Sequence, residues 1–147
     1  MVQSDYLQLS HNVSNLVYHF VCPAKYRREV ISEDVDGCLK EICVGISLRY
    51  EWIEFLEIGA DKDHVHFLIQ SMPIHSPGEI IRVVQSITAK HIFLEHPEVK
   101  KQLWGGEFWR DGYFVSTVGK NTNEAVMQNY VKSQGTQDAY KQLYLNM

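Results

Sequence analysis

Asp61-Lys62-Asp63-His64-Val65-His66-Phe67-Leu68-Ile69-Gln70 decides the architecture of this chain. A β-strand points successive side chains to opposite faces, so Val65, Phe67 and Ile69 make one apolar row and His64, His66, Leu68 and Gln70 make the other. The polar turn Gly59 to Asp63 connects this strand to Trp52–Ile58, a run rich in β-formers, and the two form a hairpin. Its apolar row needs a cover, and an amphipathic helix lies on each side in sequence. Upstream, Ser32 caps a helix with Glu33 and Asp34 in its first turn and Val35, Leu39, Ile42, Cys43 and Ile46 at helical spacing, ending near Arg49. Downstream, Ser76-Pro77-Gly78-Glu79 has the capping-box order and leads into Ile80, Val83, Val84, Ile87, His91 and Leu94, with Pro97 as the stop.

Asn15–Cys22 alternates as a strand and ends at Pro23. Trp104-Gly105-Gly106-Glu107-Phe108-Trp109 reads as a turn entering an extended segment, followed by a strand over Tyr113–Val118. Asn121 then caps a helix over about 121–135, carrying Glu124, Ala125, Val126 and Tyr130, with Gly135 as its stop and a tail over 136–147. The order β-α-β-β-α-β plus a C-terminal helix predicts an α+β fold, the split βαβ arrangement of ferredoxin-like and RNA-recognition-like domains. Both helices then cover one face of an antiparallel sheet, and His64 and His66 lie on the other, expected to be open.

The 147 residues fit a single domain over 1–147. Apolar and charged fractions of 45% and 22% are those of a globular protein, without low-complexity segments. Met1 to Ser10 lacks a basic start followed by an apolar stretch, and charge interrupts every longer apolar run, so a cytoplasmic protein with no membrane association is expected. Cys22, Cys38 and Cys43 show no metal or redox spacing and are expected to be reduced, buried thiols. A net charge of -4 argues against a protein that coats nucleic acid without specificity, because phosphate neutralisation supplies most of that affinity.

Two imidazoles on one strand suit a divalent metal ion, although by itself such a pair is more often ordinary wet surface. Tyr130 and Gln134, four residues apart, share one helical face. A tyrosine oxygen can attack phosphorus and Gln134 can offer a carbonyl oxygen to a metal, while Tyr130 with Val126 also suits plain core packing.

In combination these motifs resemble the single-tyrosine HUH transposases (histidine, bulky hydrophobic, histidine) of the IS-two-hundred/IS-six-hundred-five type of insertion sequence. The likeness runs from Val17-Tyr18-His19-Phe20-Val21 and Lys25-Tyr26-Arg27-Arg28, through His64-Val65-His66, to Trp104-Gly105-Gly106, Gly112-Tyr113-Phe114-Val115-Ser116-Thr117-Val118-Gly119 and Tyr130-Val131. The resemblance implies that His64, His66 and Gln134 hold one magnesium or manganese ion and that Tyr130 is the nucleophile. It implies cleavage and rejoining of single-stranded DNA through a 5′-phosphotyrosine, at hairpins near the element's ends. It also implies a homodimer, with sites shared between subunits. Lys25, Arg27, Arg28, Arg82 and Lys90 are the candidate phosphate contacts, and Trp104, Phe108 and Trp109 the candidate stacking residues, with at least one tryptophan expected to serve core or dimer packing instead. His19, in phase with Val17 and Val21, can either reach the site or sit in a core, and the core is expected. The alternatives are a domesticated nuclease that processes repeated palindromes, a non-catalytic RNA-recognition-like binding module, and a metal-dependent hydrolase using water.

Overall fold

The structure, a computed structural model, describes residues 7–9, 12–14 and 16–119. Two short strands, β1 (Leu7–Leu9) and β2 (Asn12–Ser14), pair as an antiparallel hairpin. Then come β3 (Leu16–Pro23), α1 (Glu33–Arg49), β4 (Glu54–Ala60), β5 (His64–Ser71), α2 (Pro77–Glu95), α3 (Pro97–Gln102) and β6 (Phe114–Val118). The main sheet is antiparallel in the order β4-β5-β3-β6, the interleaving expected of a split βαβ fold.

The two predicted helix starts among the described residues are built as their sequences require. Ser32 Oγ accepts the Val35 amide at 3.2 Å and Ser76 Oγ accepts the Glu79 amide at 3.1 Å, each satisfying a donor that the first turn leaves open. Val35, Leu39, Cys43 and Ile46 of α1 and Ile80, Ile81, Val84 and Ile92 of α2 form one core with Val65, Phe67 and Ile69 of β5. The helices thus cover the apolar row, and His64 and His66 point to the opposite face.

Four details depart from the sequence expectation. The hairpin β1–β2 was not anticipated, because three-residue strands carry too few side chains to show alternation. β4 begins at Glu54, leaving Trp52 in the preceding turn, where its ring stacks on His75 with centroids 3.8 Å apart. Pro97 does end α2, whose C-cap is His96, but it also opens α3, since proline suits the first turn of a helix. The histidine face is not open to solvent: His64 is 1% exposed, His66 3%, Leu68 0% and Gln70 2%. The predicted helix over about 121–135 lies outside the described residues. Among the described residues, no helix is long and apolar enough to cross a membrane.

Candidate active site

The site is set by the register of the two central strands. β3 pairs with β5 so that Val21 lies opposite His66, Pro23 opposite His64 and His19 opposite Leu68. Residues opposite one another in an antiparallel pair share a face, so His19 joins His64 and His66 on the side away from the helices. Long side chains also reach diagonal neighbours across a strand pair. His19 does so: its Nε2 is 2.9 Å from Nδ1 of His66, with the rings nearly parallel, their centroids 5.2 Å apart and planes within 5°. On the other flank of β5, His66 is paired with Gly59, which adds no side chain.

His19 is completely buried, as expected, but not in the core between sheet and helices. Only the pairing register shows this, because the spacing of 47 residues from His66 carries no local signal.

The turn before β5 holds the other histidine. His64 Nδ1 is 2.7 Å from Asp63 Oδ1, while Asp63 Oδ2 accepts from Arg27 Nε at 3.3 Å and Nη2 at 3.2 Å. Arg27 reaches this point because backbone bonds tie the segment after β3 to the turn, from the Ala24 amide to the Asp63 carbonyl at 2.8 Å and from Ile31 to Lys62 at 2.9 Å. Tyr26 and Arg27 both take left-handed backbone angles, with φ of 59° and 51°. Partial burial acts to raise the Asp63 pKa, but the His64 hydrogen bond and the Arg27 charge outweigh it and hold the carboxyl below its usual range.

These contacts bear on which nitrogen carries the proton. A neutral imidazole has one N–H, and the partner of one ring nitrogen selects the state of the other. In a neutral His64 ring Asp63, an acceptor only, draws the proton to Nδ1 and leaves the lone pair on Nε2. Burial, with the neighbouring His19 and His64, pushes His66 down to about 3, and burial pushes His19 down to about 4. Both are therefore neutral at physiological pH, the form that can bind a metal.

This donor set fits a divalent ion, because ligating histidines characteristically have the other ring nitrogen fixed by a hydrogen bond. Asp61, Asp63 and His64 also bring ligand-type atoms within 4.8 Å of one another. Both Asp63 oxygens are already engaged, by His64 and Arg27, which makes this carboxylate a holder of the histidine more than a ligand. Tyr130 and Gln134 lie outside the described residues.

The predicted DNA contacts are dispersed. Lys25 pairs with Glu107 at 2.8 Å and Asp111 at 3.8 Å, and Arg27 is bound to Asp63. Arg28 lies 5.5 Å from the ring centre of Trp104, which is 70% exposed. Phe108 and Trp109 are buried, and Trp109 Nε1 donates to Thr88 Oγ1 at 3.0 Å, so these two serve the core. Arg82 and Lys90 are exposed on α2, the layer behind the sheet from the histidines. Nearer the pair is a cleft of about 290 Å³ whose lining includes Val21, Pro23, Arg27, Arg110, Asp111 and Phe114. Arg110, unmarked by any sequence motif, is exposed there, with its amide donating to the Pro23 carbonyl at 2.9 Å.

Burial of neutral histidines predicts acid sensitivity. His19 and His66 have folded pKa values below the unfolded value of 6.5, so below 6.5 the unfolded chain binds more protons and stability falls as pH drops toward the folded values. Each group contributes up to about 1.4 kcal/mol per pH unit across that window. Urea unfolding between pH 6.5 and 5, above most carboxylate titration, should show the midpoint falling with pH. A constant midpoint would contradict the neutral, buried assignment.

Comparison with known proteins assigns the family. Residues 12–134 match the family described as "Transposase IS200 like". The chain is 32% identical to the ISDra2 transposase TnpA of Deinococcus radiodurans, over 83% of this chain and 86% of that protein. It is 31% identical to the transposase for insertion sequence element IS200 of Salmonella typhimurium, over 91% and 86%. Among solved structures it is similar to a Deinococcus radiodurans R1 protein described as a transposase, with a TM-score of 0.70 and 26% identity over 88% of this chain and 99% of the other. It also shares a fold with a REP-associated tyrosine transposase bound to a REP hairpin, at a TM-score of 0.56 and 8% identity over 89% and 69%. The chain belongs to the IS200-like transposase family, whose members are enzymes that cleave and join single-stranded DNA.

Proposed function

We propose that this chain, working as one domain over 1–147, moves an insertion sequence by binding hairpins at its ends and cutting single-stranded DNA with Tyr130. The observation that carries this reading is the pair His64 and His66 on one face of β5, each with Nδ1 in a hydrogen bond, within a family match that extends to residue 134. His64, His66 and Gln134 would hold one divalent ion, magnesium or manganese. When bound, that ion supplies positive charge at the non-bridging oxygens of the scissile phosphate.

The Tyr130 hydroxyl oxygen attacks phosphorus and gives up its proton, the bond from phosphorus to the 3′ oxygen breaks, and that oxygen takes up a proton. The products are a 5′-phosphotyrosine and a free 3′-hydroxyl. In the reverse direction a 3′-hydroxyl from another strand attacks the phosphotyrosine and releases Tyr130, so joining needs no nucleotide hydrolysis. His64 and His66 are uncharged ligands and do not diminish the ion's field, while Arg27 keeps Asp63, and through it His64, in place. Arg110 and Arg28, with the exposed Trp104, offer phosphate and base contacts, joined by Lys25, Arg82 and Lys90. A homodimer acting in the cytoplasm completes the reading.

A base-stacking platform of the RNA-recognition type requires an exposed sheet face. The histidine face is buried, and the opposite face lies beneath α1 and α2.

Incubation with end-labelled hairpin DNA and manganese should give a protein–DNA adduct that survives denaturant and maps to the peptide containing Tyr130. Cleavage that leaves free phosphate ends and no adduct would instead indicate water as the nucleophile.

A further inference from the structure

We infer that His19 is a positioning residue for the metal site: it accepts a hydrogen bond from Nδ1 of His66 and thereby fixes the ring with its lone pair at Nε2, ready for a ligand. The inference rests on the reading of His64 and His66 as metal ligands and goes beyond it, because His19 belongs to another strand and is not itself assigned a ligand role.

Three observations support it. The first is geometry. The nitrogen–nitrogen distance of 2.9 Å allows one proton between the rings, and the two ring planes lie within 5° of each other, an alignment that suits an in-plane hydrogen bond. If His19 donated, the neutral His66 ring would carry its proton on Nε2 and could not ligate through that atom. If His66 donates, its Nε2 holds the lone pair.

The second is the parallel with His64. There the acceptor at Nδ1 is a carboxylate, so the same nitrogen is held on both members of the pair by partners from different segments. Hydrogen-bond partners of this type orient a ligating ring and raise its basicity.

The third is what a packing residue would be. His19 is 0% exposed, and its Nδ1 has no hydrogen-bond partner among the described residues. A buried polar atom without a partner is unfavourable. Val17 and Val21, in the same strand phase, show that an apolar side chain suits this row, and both are 1% exposed. A histidine at the central position of that row makes sense if its Nε2 has work to do on His66.

The test compares wild type with His19→Phe, which keeps a buried planar ring but no acceptor, and His19→Gln, whose amide oxygen can accept in its place. Two-bond ¹H–¹⁵N correlation spectra of the metal-free proteins report which ring nitrogen of His66 carries the proton. Wild type should show Nδ1–H, His19→Phe should lose that preference, and His19→Gln should restore it. Manganese affinity by calorimetry should fall about 10–100-fold in His19→Phe and recover in His19→Gln, as expected for a partner of a ligating ring.

A wild-type His66 protonated on Nε2 overturns the inference, and so does a folded His19→Phe protein with wild-type manganese affinity. If His19→Phe does not fold, the wild-type tautomer and the His19→Gln affinity still decide. If His64→Ala and His66→Ala both leave manganese binding unchanged, the ligand assignment fails, whereas the tautomer measured without metal still gives its own answer for His19.

Discussion

Tyr130→Phe is expected to cut single-stranded DNA cleavage at least about a thousandfold, with no covalent adduct, while hairpin affinity and divalent-ion binding stay near wild type. The substitution removes one hydroxyl oxygen and nothing else, so it separates attack on phosphorus from the functions that precede it. A merely packed tyrosine would behave in the opposite way: loss of its hydroxyl would shift stability slightly and leave turnover intact. The measurement is a single-turnover cleavage assay beside a binding titration on the same DNA. An adduct that persists in Tyr130→Phe would remove this residue from the mechanism and point to another nucleophile.

The second large effect is expected at the histidines. His64→Ala and His66→Ala should each lower ion-dependent cleavage by about a hundredfold or more, since each removes a proposed ligand outright, a greater change than loss of a ligand's hydrogen-bond partner. The two should differ in stability. His64→Ala leaves Asp63 still paired with Arg27 at 3.2 Å, so no buried charge is stranded. His66→Ala removes the partner of His19 Nε2 on a fully buried ring, at a cost of about 1–3 kcal/mol. Urea unfolding of both variants, beside cleavage across a manganese titration, checks both parts. Unchanged ion dependence in the two variants would sink the ligand assignment.

Much of this was legible in the chain itself, for identifiable reasons. The hairpin carrying His64 and His66 announces itself by alternation, and both long helices by capping residues whose side chains do bond the first turn. What stayed hidden depends on contacts between distant segments. His19 looks like any residue in phase with Val17 and Val21 until β3 is set against β5 with Val21 opposite His66. Asp63 reads as an ordinary turn residue, and its bond to Arg27 requires the segment after β3 to fold back over that turn. The closed histidine face could not be anticipated either, because strand alternation says which side a residue points to and not what lies over it. Tryptophan was similarly ambiguous: Trp104 and Trp109 have the same composition signal, yet one is 70% exposed and the other 6%.

Placing the histidines on β3 and β5, the two interior strands of the sheet, also has a kinetic side. Residues 19 and 66 come together only after the chain between them, with α1 and β4, has been closed into a loop, and such long-range strand pairings are the slow contacts of folding. The contact that holds His66 therefore has no precursor in any local fragment of the chain, although His64 and His66 themselves are neighbours on one strand. It forms at the same step that commits the sheet, and an ion held by the proposed ligands would favour the finished topology over a partly folded form.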